Sequence, residues 1–412
     1  MKINIVSAVF PPEPITSARA TVDLAEQLCR EGHRVHVITA FPNRPAGRLY
    51  EGYKRQLWLH DRSFSGYEVL RCFSALSPKS TMTSRFLENL SFGIASGLAV
   101  LFMEKPDVIY GNTWPIFAQG MLALACRMRG IPLVLSVQDT YPESLLVQDR
   151  LGTGRAWLYK VLRWLDIKVK NSSAGLAVIS EGFQQIHVQD RGIPAEKVHF
   201  IPNWIDENLV QIHPVDNCIR CSHEIPEDAF LVVYAGNVGV ASGVDTVIKA
   251  FRSLTVHPNI YLLIAGSGSQ VSNWRWLARD MDNPRVLFHT PWLDSETSCV
   301  LDAASIFVLP TQGDQSMVSV PSKLMTYMLA GRPVLSCVGE ESDIAKVVHD
   351  AACGWVIAPR NPEAISQEIL LLSQKPASEL EEFGKHGRSY ALQHMTRKAN
   401  LPKLITLLQS FR

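Results

Sequence analysis

The chain has 412 residues, of which 47% are hydrophobic and 19% charged, and its formal net charge at pH 7 is +1. This length exceeds what one hydrophobic core supports, so two domains are expected. The near-zero net charge argues against a nucleic-acid-binding protein, because no broad basic field is available to compensate phosphates. The eight cysteines form no disulfide framework, which favours a reducing, cytoplasmic compartment.

The first half of the chain alternates apolar strands with helical segments. Residues 2–9 predict a buried first strand and not a signal peptide, because the apolar run is short and ends in a proline cluster. An amphipathic helix is expected over residues 17–30. The other predicted elements are a helix over residues 116–129 and strands over residues 35–39, 69–72, 107–110, 132–138, 174–179 and 198–202.

The alternation starts again at residue 230. Strands are predicted over residues 230–235, 260–265, 286–289, 306–309 and 334–338, and helices over residues 244–254, 272–282 and 295–304. This pattern predicts an α/β fold with two Rossmann-like, doubly wound parallel-sheet domains, which we expect to face each other across a cleft. The expected divisions are an N-terminal domain over residues 1–205, a C-terminal domain over residues 206–388 and a final helix, 389–412, that packs back across the boundary.

Two glycine-containing loops in the second half directly follow predicted strands and suit the approach of a phosphate. The first contains Gly236, Asn237 and Gly239, and the second contains Gly266 and Gly268. Glycines beside a strand end let phosphate groups come close to the backbone. A plain turn is the alternative for each loop, but these two loops and the strand–loop–helix described next favour a nucleotide site more strongly together than any of them does alone.

A third loop leads from the strand at 306–309 into a short helix that starts near Pro321 and ends at Gly331. A helix N-terminus presents free backbone N–H groups and the positive end of its dipole, which suits phosphates. Lys323 lies in the first turn and indicates a nucleotide-using enzyme, a surface lysine being the alternative. The other binding residues predicted here are Ser319, Val320, Ser322 and Thr326.

Candidate ligand-binding residues in the first half lie at strand ends and at the start of the first helix. Asp139 directly follows a predicted strand and could orient or deprotonate an acceptor hydroxyl, the alternative being an Asp that caps a turn. Two residues at the start of the first helix are expected either to cap it or to offer hydroxyls to a ligand. The candidates for contact with a ligand here are Thr16, Ser17, Asn112 and Gln138, and the family resemblance described below implies that they bind the acceptor.

Two patterns argue against a cofactor or a metal. No glycine occurs between Met1 and Glu31, where a dinucleotide-binding protein carries G-x-G-x-x-G, so a nicotinamide cofactor is not expected. Cys218 and Cys221 have zinc-like spacing, with His213 and His223 nearby. A second C-x-x-C is absent, so these side chains are expected to be solvated, without a metal.

Basic and aromatic residues alternate in a predicted helix over residues 154–170. Lys and Arg interleaved with Trp suit the surface of an anionic membrane, although a packed helix with a basic outer face is the alternative. Residues 91–103 form the most apolar run, yet they are shorter than the roughly 18 residues of a membrane span. The two segments could together form a membrane-facing patch, in which the second contributes Arg155, Trp157, Tyr159, Lys160, Arg163, Trp164, Lys168 and Lys170.

The motifs EGHRVHVIT, VQDTYPE, VISEGF, VHFIPNWID, VVYAGNVG, LLIAGSGS and VPSKLMTYMLAGRPVL occur in this order. Together they resemble glycosyltransferase family 4, which has the GT-B fold, and within it the bacterial surface-polysaccharide enzymes of the fucosamine-transferase and colanic-acid type. The resemblance implies transfer of a sugar from a nucleotide-sugar substrate to a lipid-linked glycan acceptor, with retention of configuration and without a metal or cofactor. It also implies that the second domain holds the donor, the first holds the acceptor, and the enzyme lies at the inner face of the plasma membrane.

Several positions depart from the family pattern. The resemblance places Val318 and Thr326 where the family usually carries two glutamates, and Asn237 and Ser242 where it carries Arg and Lys. Gln138 stands where a histidine is usual. Lys323 is therefore proposed as the cation that replaces the missing pair. The alternatives to a transferase are a nucleotide-sugar 2-epimerase on the same fold and a non-catalytic GT-B partner protein.

Overall fold

The computed structural model describes residues 1–44, 46–64, 66–79, 81–112, 116–147, 156–210, 218–312 and 322–412. These residues form two compact units. One comprises Met1–Pro202 together with Asn400–Arg412, and the other comprises Asn203–Ala399. Each unit has its own sheet.

The first unit contains eight strands, namely β1 (Lys2–Ser7), β2 (Arg34–Ala40), β3 (Trp58–Asp61), β4 (Glu68–Cys72), β5 (Val108–Asn112), β6 (Leu133–Val137), β7 (Gly175–Val178) and β8 (Val198–Phe200). They form one sheet in the order β3-β4-β2-β1-β5-β6-β7-β8, parallel throughout except that β3 runs antiparallel to β4. Its helices are α1 (Thr16–Arg30), α2 (Met82–Phe102), α3 (Ile116–Arg129), α4 (Glu143–Val147), α5 (Ala156–Ser172) and α6 (Glu181–Gln185).

The second unit is built on six parallel strands, namely β9 (Phe230–Ala235), β10 (Ile260–Ala265), β11 (Val286–His289), β12 (Ile306–Pro310), β13 (Val334–Cys337) and β14 (Gly354–Ile357). Their order is β11-β10-β9-β12-β13-β14. Its helices are α7 (Cys218–Ser222), α8 (Val244–Ala250), α9 (Val271–Asp280), α10 (Thr297–Asp302), α11 (Ser322–Leu329), α12 (Asp343–Asp350), α13 (Pro362–Ser373) and α14 (Ala377–His394). The last helix, α15 (Arg397–Gln409), begins in the second unit and lies mostly in the first.

The central strands of both sheets are buried on both faces, which explains their continuous apolar sequences. All residues of β5, β6 and β12 are buried, and in β9 only Phe230 is partly exposed. Parallel sheets covered by helices on both sides have this property. The edge strands β3 and β14, which the sequence pattern did not predict, have partly exposed residues and lack a continuous buried run.

The C-terminal segment differs from the single helix predicted over residues 389–412. Two helices, α14 and α15, are separated at Met395 and Thr396. The Met395 carbonyl accepts a hydrogen bond from the Ile205 N–H at 3.1 Å, and the Arg397 N–H donates to the Ile205 carbonyl at 3.0 Å. Backbone bonding to Ile205 replaces the intrahelical pattern at this point, so the helix ends there.

Helix α2 is long and apolar enough, over Thr83–Phe102, to cross a membrane by length and composition. The sequence count of uninterrupted apolar residues missed this, because it stopped at 91–103. The helix packs closely on α3, since a Cβ on Gly93 would lie 2.8 Å from the Cα of Ala118. With 44% of its most apolar window buried, α2 belongs to the helical layer of the first unit.

Candidate active site

The side chain of Lys323 lies over the carboxyl end of β9. Lys323 is in the first turn of α11, and a Cβ on Gly236 would lie 2.4 Å from its Cε and 3.0 Å from its Cδ. Gly236 has a φ of +149°, a backbone angle that residues other than glycine rarely adopt. Glycine at position 236 therefore allows the lysine to cross the strand end.

The Lys323 ammonium is held by a hydrogen-bond chain to the loop after β9. Its Nζ donates to the Tyr234 hydroxyl at 2.6 Å and lies 4.8 Å from the centre of that ring. The Tyr234 hydroxyl in turn donates to the Asn237 carbonyl at 2.7 Å. Helix α11 and the β9 loop are thereby joined through one cation.

Burial lowers the pKa of Lys323 to about 8, and it raises the pKa of Tyr234. Among the residues that the structure describes, no carboxylate forms an ion pair with this ammonium. A partly desolvated cation without a counter-ion is costly unless an anion binds beside it. Lys323 is thus poised to receive an anionic ligand.

Tyr327 fixes the end of β9 from the next turn of α11. Its buried hydroxyl accepts from the Ala235 N–H at 3.0 Å and donates to the Ala235 carbonyl at 2.9 Å. Its ring stacks on Phe307 of β12, with centroids 4.2 Å apart and planes 7° from parallel. Sequence analysis missed both Tyr234 and Tyr327, although Tyr327 lies one helical turn after Lys323, a spacing that places both on one face of α11.

The two glycine loops lie side by side and support each other. The Gly236 N–H donates to the Ala265 carbonyl at 2.9 Å, and the Val238 N–H donates to the Ser267 carbonyl at 2.9 Å. Both N–H groups are therefore already engaged and not directed at a ligand. A Cβ on Gly266 or Gly268 would lie 1.9 or 2.2 Å from carbonyl oxygens of the first loop. These two glycines are explained by loop packing, without the need for a phosphate.

The other predicted donor residues have mixed surroundings. Asn237 is exposed, and its amide would lie 3.2 Å from a Cβ on Gly239. Ser322 is exposed at the start of α11, while the hydroxyl of Thr326 lies 3.5 Å from the Ser322 carbonyl, a long hydrogen bond. The predicted residues Ser319 and Val320, together with Val318 and Pro321, lie outside the described residues.

Ser242 takes a structural place where the family resemblance would put a cation. Its side chain is buried, and its hydroxyl donates to the Gly239 carbonyl at 2.7 Å. The serine thus closes the turn after β9. Lys323 approaches the same loop from α11, which is compatible with its proposed replacement of the missing cation.

In the first unit, Asp139 follows β6 at the carboxyl end of the sheet. The residue is accessible to solvent, yet the surrounding protein keeps much of the bulk water away, and this desolvation raises its pKa to about 6. Its neighbour Gln138 donates to the Ser136 hydroxyl at 2.8 Å. Asp139 is therefore ionised near neutral pH and can accept a proton or a hydrogen bond.

A buried charge network anchors the segment that follows Asp139. Glu143 forms an ion pair with Arg191 at 2.7 Å and accepts from the Tyr159 hydroxyl at 3.2 Å. Arg191 also pairs with Asp166, which binds Lys170 at 2.9 Å. Lys170 is consequently buried, so its predicted place in a membrane-facing patch is wrong, as is the alternative place on a basic outer face. Burial lowers its pKa to about 8.

The start of α1 differs from the prediction that Thr16 and Ser17 cap it. The N-cap residue is Ile15, which makes no side-chain capping bond. Ser17 has a buried hydroxyl with no hydrogen-bond partner in the described part of the chain. The side chain of Thr16 is not among those that the structure describes. Asn112 is buried and donates to the Thr21 hydroxyl at 3.3 Å, so its amide joins β5 to α1 and is not an accessible acceptor ligand.

The C-x-x-C segment forms no ligand group in the described residues. His223 contacts His289 through ring nitrogens 3.2 Å apart, and His289 contacts Glu296 at 3.1 Å. No group of three or more His, Cys, Asp or Glu side chains that could hold a metal occurs within the described residues. His213 and the side chain of Cys218 lie outside them, as does Arg155 of the predicted membrane helix.

Two doubly wound parallel-sheet units, the second with an ammonium and two glycine loops at its strand ends, are the features of the GT-B class of fold. The family model for Glycosyltransferase Family 4 matches residues 17–209, and the model for Glycosyl transferases group 1 matches residues 216–390. The chain belongs to glycosyltransferase family 4, and it is a glycosyltransferase enzyme.

Relatives and solved structures agree with this assignment. WcaI of Escherichia coli (strain K12), named as a colanic acid biosynthesis glycosyl transferase, is 26% identical over 276 residues, covering 66% of this chain and 67% of the relative. The Pseudomonas aeruginosa glycosyltransferase WbjE is 24% identical, covering 73% and 74%. Anabaena HepE in complex with UDP has the same fold, with a TM-score of 0.72, 15% identity and complete coverage of both chains. These names do not favour the 2-epimerase alternative.

Proposed function

We propose that this glycosyltransferase moves a sugar from a nucleoside-diphosphate sugar to a lipid-linked glycan acceptor in cell-surface polysaccharide assembly. The observation that carries the proposal is the partly buried Lys323 ammonium, which has no carboxylate partner among the described residues and lies over Gly236. The relatives WcaI, named for colanic acid biosynthesis, and HepE, solved with UDP, support the class of donor and product.

The chemistry requires stabilisation of a leaving diphosphate more than a strong base. Negative charge grows on the diphosphate as its bond to the sugar breaks, and a fixed cation in a partly desolvated site stabilises that charge without reorganisation. Lys323 and the backbone N–H groups at the start of α11 would supply this stabilisation, so the proposed transfer needs no metal. Retention of the anomeric configuration is proposed because the family resemblance implies it.

Asp139 is proposed to orient the acceptor hydroxyl. With its pKa raised to about 6 by desolvation, its carboxylate is mostly ionised at pH 7 but is a stronger base than an ordinary aspartate.

A lipid-linked acceptor would be met at a membrane, and α5 presents a suitable surface. Trp157 and Trp164 are 66% and 58% exposed and share one helical stripe with Val161, Lys160 and Lys168. The Lys168 ammonium lies 5.9 Å from the centre of the Trp164 ring. Exposed tryptophans flanked by lysines suit the interface of an anionic bilayer, so we propose that the enzyme binds there as a peripheral protein of the cytoplasmic face.

Binding of UDP, GDP and dTDP measured by calorimetry tests the donor part of the proposal. We expect Lys323→Ala to weaken the best of these ligands roughly tenfold or more, about 1.4 kcal/mol. The exposed Lys385 provides the matched control, because Lys385→Ala should leave affinity unchanged. Equal affinity in the wild type and the Lys323 variant would remove this lysine from the donor site.

Incubation with nucleotide-sugars and polyprenyl-diphosphate-linked monosaccharides tests the reaction, with mass spectrometry of the lipid fraction as the measurement. A gain of one sugar on the lipid is expected. Release of a free epimer from donor alone would identify a 2-epimerase, and binding without turnover would identify a non-catalytic protein.

Co-sedimentation with phosphatidylglycerol vesicles, compared with phosphatidylcholine vesicles, tests the membrane surface. The double variant Trp157→Ala/Trp164→Ala should lose most of the binding to the anionic vesicles. Trp276→Ala is the control, because Trp276 is equally exposed, at 68%, but belongs to the second unit. Equal binding by all three proteins would contradict the proposed surface.

A further inference from the structure

A cavity of about 520 Å³ lies in the second unit, beside helices α8 and α9. Its volume falls within the range of about 300–1,000 Å³ that is usual for small-molecule sites. The lining side chains that bear on its ligand are Asp245, Lys249, Gln270, Asn273, Trp276 and Gln312. None of them belongs to the cluster around Lys323.

Trp276 gives the cavity an aromatic wall that the core of the unit does not need. Trp274, two residues earlier on α9, is 6% exposed and packs in the core, whereas Trp276 is 68% exposed. An indole ring offers a flat apolar face at low conformational cost, and its N–H remains able to donate a hydrogen bond. The CH-rich face of a pyranose ring is a suitable partner for such a surface.

The polar side chains of the cavity form short pairs that keep further hydrogen-bonding capacity. Gln312 donates to Asp245 at 3.1 Å, and Asn273 donates to Gln270 at 2.9 Å. Each carboxamide has two N–H donors and a carbonyl oxygen, so one bond does not exhaust it. Side-chain amides and a carboxylate at the rim of an aromatic wall can bind the hydroxyl groups of a sugar.

The charged side chains of the cavity are paired with each other, so the lining does not favour a phosphate. Lys249 contributes its cation, and the ammonium lies 3.0 Å from the Asp245 carboxylate, which neutralises it. This differs from Lys323, which has no carboxylate partner in the described portion of the protein. A neutral, polyhydroxylated ligand fits a lining whose charges are already paired.

We propose that this cavity is a second carbohydrate-binding site, which holds a neutral saccharide chain by stacking on Trp276 and by hydrogen bonds to Asp245, Asn273 and Gln312. Its lining side chains differ from those proposed to bind the donor diphosphate, although the cavity also reaches Val240, which follows Gly239 of the first glycine loop. It gives the enzyme a means of retaining a glycan independently of the transfer step.

Calorimetric titration with maltotetraose, cellotetraose and lacto-N-tetraose tests the site, with UDP titrated in parallel. We expect at least one tetrasaccharide to bind and Trp276→Ala to weaken that binding roughly tenfold or more. Gln312→Ala should weaken it as well, and Trp276→Phe should retain part of it. Trp157→Ala, which removes a tryptophan of matching exposure from the first unit, should have no effect.

UDP affinity separates this site from the donor site. It should be unchanged in Trp276→Ala, and UDP should not displace the tetrasaccharide. The proposal is overturned if none of the three saccharides binds, if Trp276→Ala binds them as well as the wild type does, or if UDP competes with them. Circular dichroism of each variant establishes that it is folded.

Discussion

Lys323 crosses Gly236 so closely that a single added carbon on the glycine would lie 2.4 Å from the lysine Cε. The strand end and the first turn of α11 therefore depend on each other. The lysine reaches Tyr234 across a position that has no side chain, and the φ of +149° at Gly236 also favours glycine there.

Gly236→Ala should disturb both the site and the fold. The flexible lysine can move aside, so the clash costs little stability, while the positive φ adds strain of about 1–3 kcal/mol. Displacement of the ammonium should weaken UDP binding roughly tenfold or more by calorimetry. Gly339→Ala is the control, because a Cβ there meets no atom within 4 Å. Unchanged UDP affinity in Gly236→Ala would show that the position of the Lys323 side chain over Gly236 does not contribute to donor binding.

Tyr327→Phe should destabilise the second unit. The substitution keeps the stacking on Phe307 but leaves the Ala235 N–H and carbonyl without their buried partner. An unsatisfied buried polar group costs about 1–3 kcal/mol, which urea denaturation would measure. Because the end of β9 would also loosen, UDP affinity should fall. A variant as stable as the wild type would contradict the assigned anchoring role.

Binding of UDP should weaken as the pH rises through about 8. Burial lowers the pKa of Lys323 to about 8, so the ammonium is charged below that pH and loses its charge above it. Lys323→Arg should bind with little change over the same range, because a guanidinium does not deprotonate there. If the neutral Lys323→Met variant showed the same pH dependence as the wild type, another group would be responsible.

The rate of transfer at limiting acceptor should rise as the pH increases through about 6. The raised pKa of Asp139 means that its carboxyl group is protonated below about 6 and becomes a proton acceptor above it. Asp139→Asn should reduce kcat/KM for the acceptor and remove this acidic limb. Full turnover with an unchanged pH profile in the variant would exclude Asp139 from the reaction.

Acid should destabilise the first unit partly through His187. This buried histidine lies 2.7 Å from the Phe183 carbonyl through Nδ1 and accepts from Lys170 through Nε2, which requires the neutral ring. Burial, together with the charges of Lys170 and Arg191, lowers its pKa to about 2. The unfolded chain instead binds a proton near its usual pKa of about 6.5. Stability is therefore present above about 6.5 and is lost as the pH falls below it, by about 1.4 kcal/mol per pH unit.

Urea denaturation between pH 7 and pH 5 measures this loss. His187→Gln should show a shallower dependence, because an amide can also donate to the Phe183 carbonyl and accept from Lys170 without titrating. The exposed His386 provides the control, and His386→Gln should retain the wild-type slope. Parallel slopes for all three proteins would contradict the prediction.

The sequence predicted the central elements well because their signal is local. The β9 strand and helix α3 have the bounds that apolar periodicity indicates, and Lys323 was identified from its position at a helix start. The edge strand β3 was missed because only two of its four residues are apolar, and β14 was missed because it is only four residues long and opens on a glycine, a weak strand former. The break between α14 and α15 was missed because it depends on backbone bonds to the distant Ile205.

The sequence by itself determined the α/β class, the alternation of elements and the positions of the glycine loops and of Lys323. Only the tertiary structure decided what those residues contact. It placed Tyr234 under the ammonium, Lys170 in a buried ion network and Gly266 against the neighbouring loop. The reason is physical: apolar periodicity is a property of neighbouring residues, whereas desolvation, ion pairing and close backbone approach depend on residues that are distant in the chain and meet only in the fold.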